Sequence, residues 1–388
     1  MPLIRSPLVA LTVLAAALSS LGAPAAAAAE KHPKATKVLA QDKARTKARA
    51  AAKKTVRRPA VVADNAPDSE AVNFREWSAV QQFADEMVAK HGFNRAELDT
   101  MFGQARLLET AVNLVKPAPP GKPKNWQAYS SRFIEPIRIN AGVRFWNENA
   151  DTLARAERIY GVPAEILVGI IGVETVYGRD TGKFRVIDIL TTLAFAYPEA
   201  PNRSQRMAFF RGELENTLLL AQHEGVDPFS LLGSYAGAVG LPQFMPGSIL
   251  KWGVDFDNDG HVNLRTSVAD AIGSVANFLV EHGWKRDHTG PTAYAAQVAP
   301  SMAWEPMLGK GLVATYRPDE LLAAGVTTAA TLPAEPLYGL VDLQNGAEAT
   351  EYWVVSDNFF AITNYNRSYF YAMSVVDLGR AVRLSRGL

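Results

Sequence analysis

Apolar residues recur at three- and four-residue spacing through NFREWSAVQQFADEMVAKHG, at Phe74, Trp77, Val80, Phe83, Met87 and Val88. That spacing predicts a helix with one buried face, and His91-Gly92 supplies its C-terminal stop. NRAELDTMFGQARLLETAVNLV repeats the pattern, and the prolines of PAPPGKPKNW interrupt it with a loop. Most segments from Trp126 to Tyr197 read helical, as do 207–224 and 267–284. Little alternates with period two until Leu312, where LVATY, ATEYWVV and NFFAIT predict short strands. RSYFYAMSVVDLGRAVRL then returns to helical spacing. The chain is therefore expected to be mainly α (α+β), with a small β-containing part at 290–362 and a closing helix within 363–388. No internal repeat is visible.

The first seventy residues lie outside this pattern. MPLIRS carries Arg5, PLVALTVLAAALSSLGA is apolar, and PAAAAAE offers small residues in an A-x-A arrangement. Residues 1–29 thus read as a secretory signal peptide, with an uncleaved anchor as the alternative. Residues 30–72 read as a basic, disordered linker, since KHPKATKVLAQDKARTKARAAAKKTVRR has no aromatic residue to bury. Residues 1–58 hold 12 Lys+Arg against 2 Asp+Glu, leaving 28 against 37 and a net charge of −9 for the rest of the chain. The block is either a tether drawn to an anionic surface or a solubilising linker. An exported protein with an acidic folded part is not expected to bind nucleic acid. Cysteine is absent from all 388 residues, so there is no disulfide framework and no thiol for a lipid anchor. The expected setting is the periplasm, for a soluble protein without a stable membrane span.

Candidate chemistry begins at ILVGIIGVETVYG, residues 166–178, an apolar run interrupted by Glu174 and Thr175. Val162-Pro163 opens a helix here. On that helix the neighbours of Glu174 at i−4, i−3, i+3 and i+4 are Ile170, Ile171, Tyr177 and Gly178. A carboxyl so placed is poorly solvated, which raises its pKa and suits it to donate a proton to a leaving oxygen. The alternative is a buried glutamate bonded to backbone. GSYAGAVGLPQFMPGSI, residues 233–249, adds small residues that permit close backbone approach, with Ser234 and Gln243 as polar groups. It reads as a cleft wall or as a tight turn between packed helices.

GVETVYGRDTGKFRVIDILTTLAFAYP, FFRGELENTLLLAQHEGVDP, GSYAGAVGLPQFMPGS and DAIGSVANFLVEHGW together resemble the lytic murein transglycosylase B family, in order from about Phe74 to Val382. The resemblance implies a lysozyme-like helical catalytic domain over 73–289. It also implies cleavage of the β-1,4 bond between N-acetylmuramic acid and N-acetylglucosamine in peptidoglycan glycan strands. One carboxyl group, matched by Glu174, protonates the glycosidic oxygen and then serves as base while the muramic C6 hydroxyl closes on C1. A 1,6-anhydro end results. Tyr129, Ser234, Gln243, Tyr365, Asn366 and Tyr371 match the family's cleft residues. Arg206 matches an arginine expected after the AYP turn, with Arg203 as the alternative.

VDFDNDGHVNL places Asp255, Asp257 and Asp259 at positions 1, 3 and 5 and Gly260 at position 6, the first half of an EF-hand loop. Position 12 is Thr266, not glutamate. The resemblance implies a longer loop over 255–270, closed by Asp270, with His261 giving its backbone carbonyl to calcium. The alternative is an Asx-rich turn without an ion. No organic cofactor is expected, and other cell-wall enzymes are the protein partners in view. Two competing functions stand. A hydrolytic muramidase would need a second carboxylate, from Asp180, Asp188, Glu213 or Glu215. A catalytically inactive wall-binding protein would need none.

Overall fold

The computed structural model describes residues 72–116, 123–288 and 290–387. The signal-peptide and basic-linker expectations lie outside these residues, apart from Val72. Helix α1 (Ser78–His91) buries Val80, Phe83, Ala84 and Met87 and stops at Gly92, whose φ of 70° only glycine adopts freely. Asn94 caps α2 (Arg95–Gln104) by accepting from the Ala96 and Glu97 N–H groups. The short α3 (Glu109–Leu114) and α4 (Trp126–Ser130) follow. Pro136 starts α5 (Pro136–Glu148), and the Glu135 side chain caps it. Next comes α6 (Ala150–Tyr160).

The centre of the molecule is α7 (Ala164–Thr175). Every residue of it is buried except Glu165 and Glu174. A helix apolar on all sides has no solvent face, so it is surrounded by other helices. β1 (Phe184–Arg185) leads into α8 (Val186–Phe195), buried along its whole length, and then into α9 (Arg203–Glu224). β2 (Leu232–Gly233) pairs antiparallel with β1, which brings the stretch after Gly233 towards the end of α7. α10 (Pro246–Trp252) and α11 (Val268–Glu281) flank the aspartate loop.

β3 (Ala293–Val298) begins a four-stranded antiparallel sheet. After α12 (Pro318–Ala323) it is completed by β4 (Val326–Thr328), β5 (Tyr338–Asn345) and β6 (Glu348–Ser356), in the order β4-β3-β6-β5. On β5, Tyr338 and Leu340 join a small core with Trp304, Leu321, Val326 and Val354, while Val341 and Leu343 face the main core. The chain closes with α13 (Asp357–Thr363) and α14 (Tyr369–Ser385). Gly169 of α7 lies under the Val375 carbonyl and Gly379 of α14 under the Glu165 carbonyl, so these helices meet where no Cβ would fit.

Two predicted strands differ from the structure. NFFAIT is helical, forming most of α13, and its residues are all buried. A run buried on every side carries no period, so its apolar character could not distinguish strand from helix. LVATY is irregular apart from an isolated bridge between Tyr316 and Tyr338.

Candidate active site

α7 ends abruptly one residue past Glu174. Val176, Tyr177 and Gly178 all take left-handed conformations, with φ of 50°, 61° and 90°. For β-branched Val176 this is a strained state that the surrounding packing must hold. The turn overturns the expected i+3 neighbour. Tyr177 leaves the face of Glu174 and packs against Gly142 of α5 and Gly172 of α7, because three left-handed residues reverse the chain. Fully buried Thr175 secures the end: its Oγ donates to the Leu241 carbonyl at 2.9 Å and accepts from the Gly178 N–H at 3.0 Å.

Glu174 is enclosed by protein yet keeps an opening onto a pocket shared with Ser234, Gln243, Tyr365 and Asn366. Burial pushes its carboxyl up to about 7. Two weaker effects oppose this, a hydrogen bond from Tyr371 and the charge of Arg138. The Tyr371 hydroxyl, on α14, donates to Glu174 Oε1 at 2.6 Å. Ser234 Oγ accepts from the Ala238 N–H at 3.1 Å and more weakly from the Ala236 N–H, so its own proton remains to donate. Gln243, at φ 52°, spends both amide protons on the carbonyls of Thr181 (3.1 Å) and Gly240 (2.9 Å). Its Oε1 is left as an acceptor. Tyr365 stacks on Tyr371 at 6.3 Å and donates its hydroxyl to the Pro242 carbonyl at 2.8 Å, fastening the 240–244 loop to the wall.

Tyr129 of α4 does not line this pocket but stands close by. It stacks on Trp126 and lies 5.5 Å from Phe370. Burial, and after it the charge of Glu174, pushes its phenol up to about 12. Arg206 and Arg203 gather instead around Tyr197, donating to its hydroxyl at 3.0 Å and its carbonyl at 2.9 Å. Neither lines the pocket. One residue absent from the sequence reading is Arg138 of α5. Its Nη1 donates to the carbonyls of Gly172 (2.6 Å) and Val173 (3.1 Å), directly beneath Glu174. Its isoleucine neighbours in PIRIN gave only a weak signal of a buried cation.

The four alternative carboxylates are otherwise engaged. Asp188 is held by Arg185 at 2.6 Å and by the Arg106 N–H, and Glu213 accepts from the Gly247 N–H at 2.8 Å. Glu215 pairs with His91 at 2.7 Å, and Asp180 with Arg179 at 3.0 Å. Among the described residues, Glu174 is the only carboxylate lining the pocket.

In the aspartate loop, oxygens of Asp255, Asp257 and Asp259 lie within 4.8 Å of one another. Asp255 Oδ2 accepts from the Gly260 N–H at 2.9 Å, which folds the loop around the cluster. Three carboxylates converging from alternate positions suit a hard cation such as calcium. Asp270 is not gathered with them. Fully buried, it accepts from the N–H groups of Phe256 and Asn263, each at 2.7 Å, and so anchors both ends of the loop. His261 is exposed, and its N–H donates to Asp259.

A family model for the Transglycosylase SLT domain matches residues 73–380. The chain belongs to the lytic transglycosylase family. It is 44% identical over 315 residues to the membrane-bound lytic murein transglycosylase B of Escherichia coli strain K12, covering 79% of this chain and 83% of that protein. The E. coli lytic transglycosylase Slt35, solved in complex with calcium, is 42% identical with a TM-score of 0.72, covering 81% of this chain and 96% of its own. SltB3 from Pseudomonas aeruginosa, solved with NAG-anhNAM-pentapeptide, is 26% identical with a TM-score of 0.67 over 78% of each chain. Members of the family are peptidoglycan-degrading lyases with a lysozyme-like helical fold, as this chain is. No helix among the described residues is long and apolar enough to cross a membrane.

Proposed function

We propose that Glu174 is the sole acid and base with which this lytic transglycosylase cleaves the MurNAc–GlcNAc bond. The observation that carries this reading is the isolation of Glu174 as the one carboxylate of the pocket, with a proton affinity raised by burial. Near pH 7 a useful fraction is protonated, and the Tyr371 bond to Oε1 leaves Oε2 to carry the proton. Glu174 gives that proton to the glycosidic oxygen as the bond to C1 breaks. The ionised carboxylate, stabilised by Tyr371, then takes the proton of the muramic C6 hydroxyl as it bonds to C1. Atoms balance without water, so no second carboxylate is required. Ser234 and Gln243 offer one donor and one acceptor for the sugar's amide and hydroxyl groups, and Asn366 adds a further polar wall. Tyr129 presents an aromatic face to sugar C–H surfaces beside the pocket. Arg206, held on the Tyr197 hydroxyl, serves substrate binding outside the pocket that holds Glu174.

Calcium occupies the Asp255, Asp257 and Asp259 cluster in a structural role, a reading supported by the solved calcium complex of Slt35. The enzyme works in the periplasm on glycan strands, after removal of residues 1–29. Muropeptides released from purified sacculi, measured by mass spectrometry, should end in 1,6-anhydromuramic acid. Mostly reducing muramic ends would promote the hydrolase, and binding without release the inactive wall-binding protein.

A further inference from the structure

Arg138 is 7% exposed, and its guanidinium lies 5.2 Å over the Phe133 ring. Only part of its hydrogen-bonding capacity is used, since Nε is buried without a partner. Such a cation is costly to bury, and an apolar side chain of similar volume often serves packing as well or better. What an apolar side chain cannot supply is what Arg138 does at the end of α7. Thr175 is the last helical residue, and the left-handed turn removes the next turn that would have covered the terminal carbonyls. The Val176 N–H reaches Gly172 O at 3.2 Å, and Arg138 Nη1 joins Gly172 O and Val173 O from below. A positive charge at a helix C-terminus complements the dipole there. Here it also sits next to the residue that carries the reacting proton.

We propose that Arg138 is a positioning residue for Glu174: it locks the last turn of α7 in the orientation that aims the carboxyl into the pocket and supplies the charge that keeps its ionised form within reach. The proposal rests on the reading of Glu174 as acid and base. The titratable and charged groups around Glu174 are Tyr371 from α14, Tyr365 from the turn before it, Tyr129 from α4 and Arg138 from α5. Around Arg138 stand Glu135, Tyr177, Arg179 and Asp180. Arg138 is the one cation among those acting on Glu174, and its pull is downward on the carboxyl's proton affinity.

The test compares Arg138→Met and Arg138→Lys with Glu174→Gln, using turnover on sacculi from pH 5 to 9 together with melting temperature. Wild-type kcat/KM should fall on the alkaline side as Glu174 loses its proton. In R138M the missing positive charge should move that limb up by about one pH unit. R138K keeps the charge but does not place a donor where Nη1 meets the Gly172 and Val173 carbonyls, so its limb should stay in place while kcat falls about 10-fold with KM unchanged. Should R138M fail to fold, R138K decides alone: an unchanged kcat overturns the proposal. An inactive E174Q with an unmoved limb in R138M, whatever its melting temperature, overturns the role of Arg138 alone. An active E174Q would overturn the reading of Glu174 and this proposal with it.

Discussion

Two groups of carboxylates in this molecule have opposite surroundings. Glu174 stands singly at the end of a buried helix, with the Tyr371 hydroxyl on Oε1 and, among the described residues, no ion pair. Asp255, Asp257 and Asp259 crowd together near the surface, and backbone N–H groups support them. Burial that outweighs the charge of Arg138 makes the protonated form accessible at neutral pH, and a group in that state can exchange protons with substrate. Three carboxylates converging near the surface, with oxygens within 4.8 Å of one another, suit a hard cation instead. Residue type is nearly the same in the two regions. Solvation decides which chemistry each performs.

The sharpest way to break the contrast is Glu174→Gln, which preserves shape but cannot transfer a proton. Turnover on sacculi should fall by at least about 10²–10⁴-fold, the usual worth of general acid–base catalysis. Near-normal release of muropeptides would remove Glu174 from the reaction. Its stability should move the other way. The folded carboxyl titrates at about 7 against an ordinary 4.5, so its contribution to stability is fully present below pH 4.5 and lost as pH rises through 7. The variant should therefore melt higher than wild type at pH 8, and the gap should close towards pH 4. A gap independent of pH would contradict the raised proton affinity.

Tyr371→Phe addresses the hydrogen bond that its hydroxyl donates to the carboxylate. Losing a bond that favours the ionised form raises the proton affinity of Glu174 further, so the alkaline limb of the pH profile should shift upward. A hydrogen bond to a charged group is worth about 1.5–3 kcal/mol, so a loss of about 10-fold in kcat is expected. A profile that stays in place would show that Tyr371 only packs against Tyr365.

In the aspartate loop the comparison sharpens into two substitutions. Asp259→Asn should abolish the dependence of melting temperature on calcium. A cation at a hundredfold excess over Kd adds about 2.7 kcal/mol to the wild type, and none to a variant that cannot bind it. Asp270→Ala should destabilise with or without calcium, by about 1–3 kcal/mol, because it leaves buried N–H groups unpaired. Full recovery of Asp270→Ala by added calcium would instead make Asp270 a ligand.

Much of this was legible along the chain. The 3–4 spacing of α1, the Gly92 stop and the unbroken apolar run of α7 are local patterns, and each fixes a helix through side chains a few residues apart. Glu174 was legible for the same reason, as one charge in a run that has no solvent face. The odd-position aspartates with Gly260 were legible because a turn of that kind is set by adjacent residues.

What depended on distant residues was not legible. Tyr371 reaches Glu174 across 197 positions, and Arg138 reaches Gly172 across 34. Tyr177, expected beside Glu174, left that face because packing against Gly142 and Gly172 holds a turn that local propensity disfavours. NFFAIT became helix rather than strand through burial against other elements, and Asp270 became the loop's anchor through N–H groups 14 and 7 positions before it. Local patterning specifies which surfaces must be buried, since that follows from the order of apolar and polar side chains. Which groups meet once they are buried follows from how helices and loops pack, and that sets the proton affinity of Glu174.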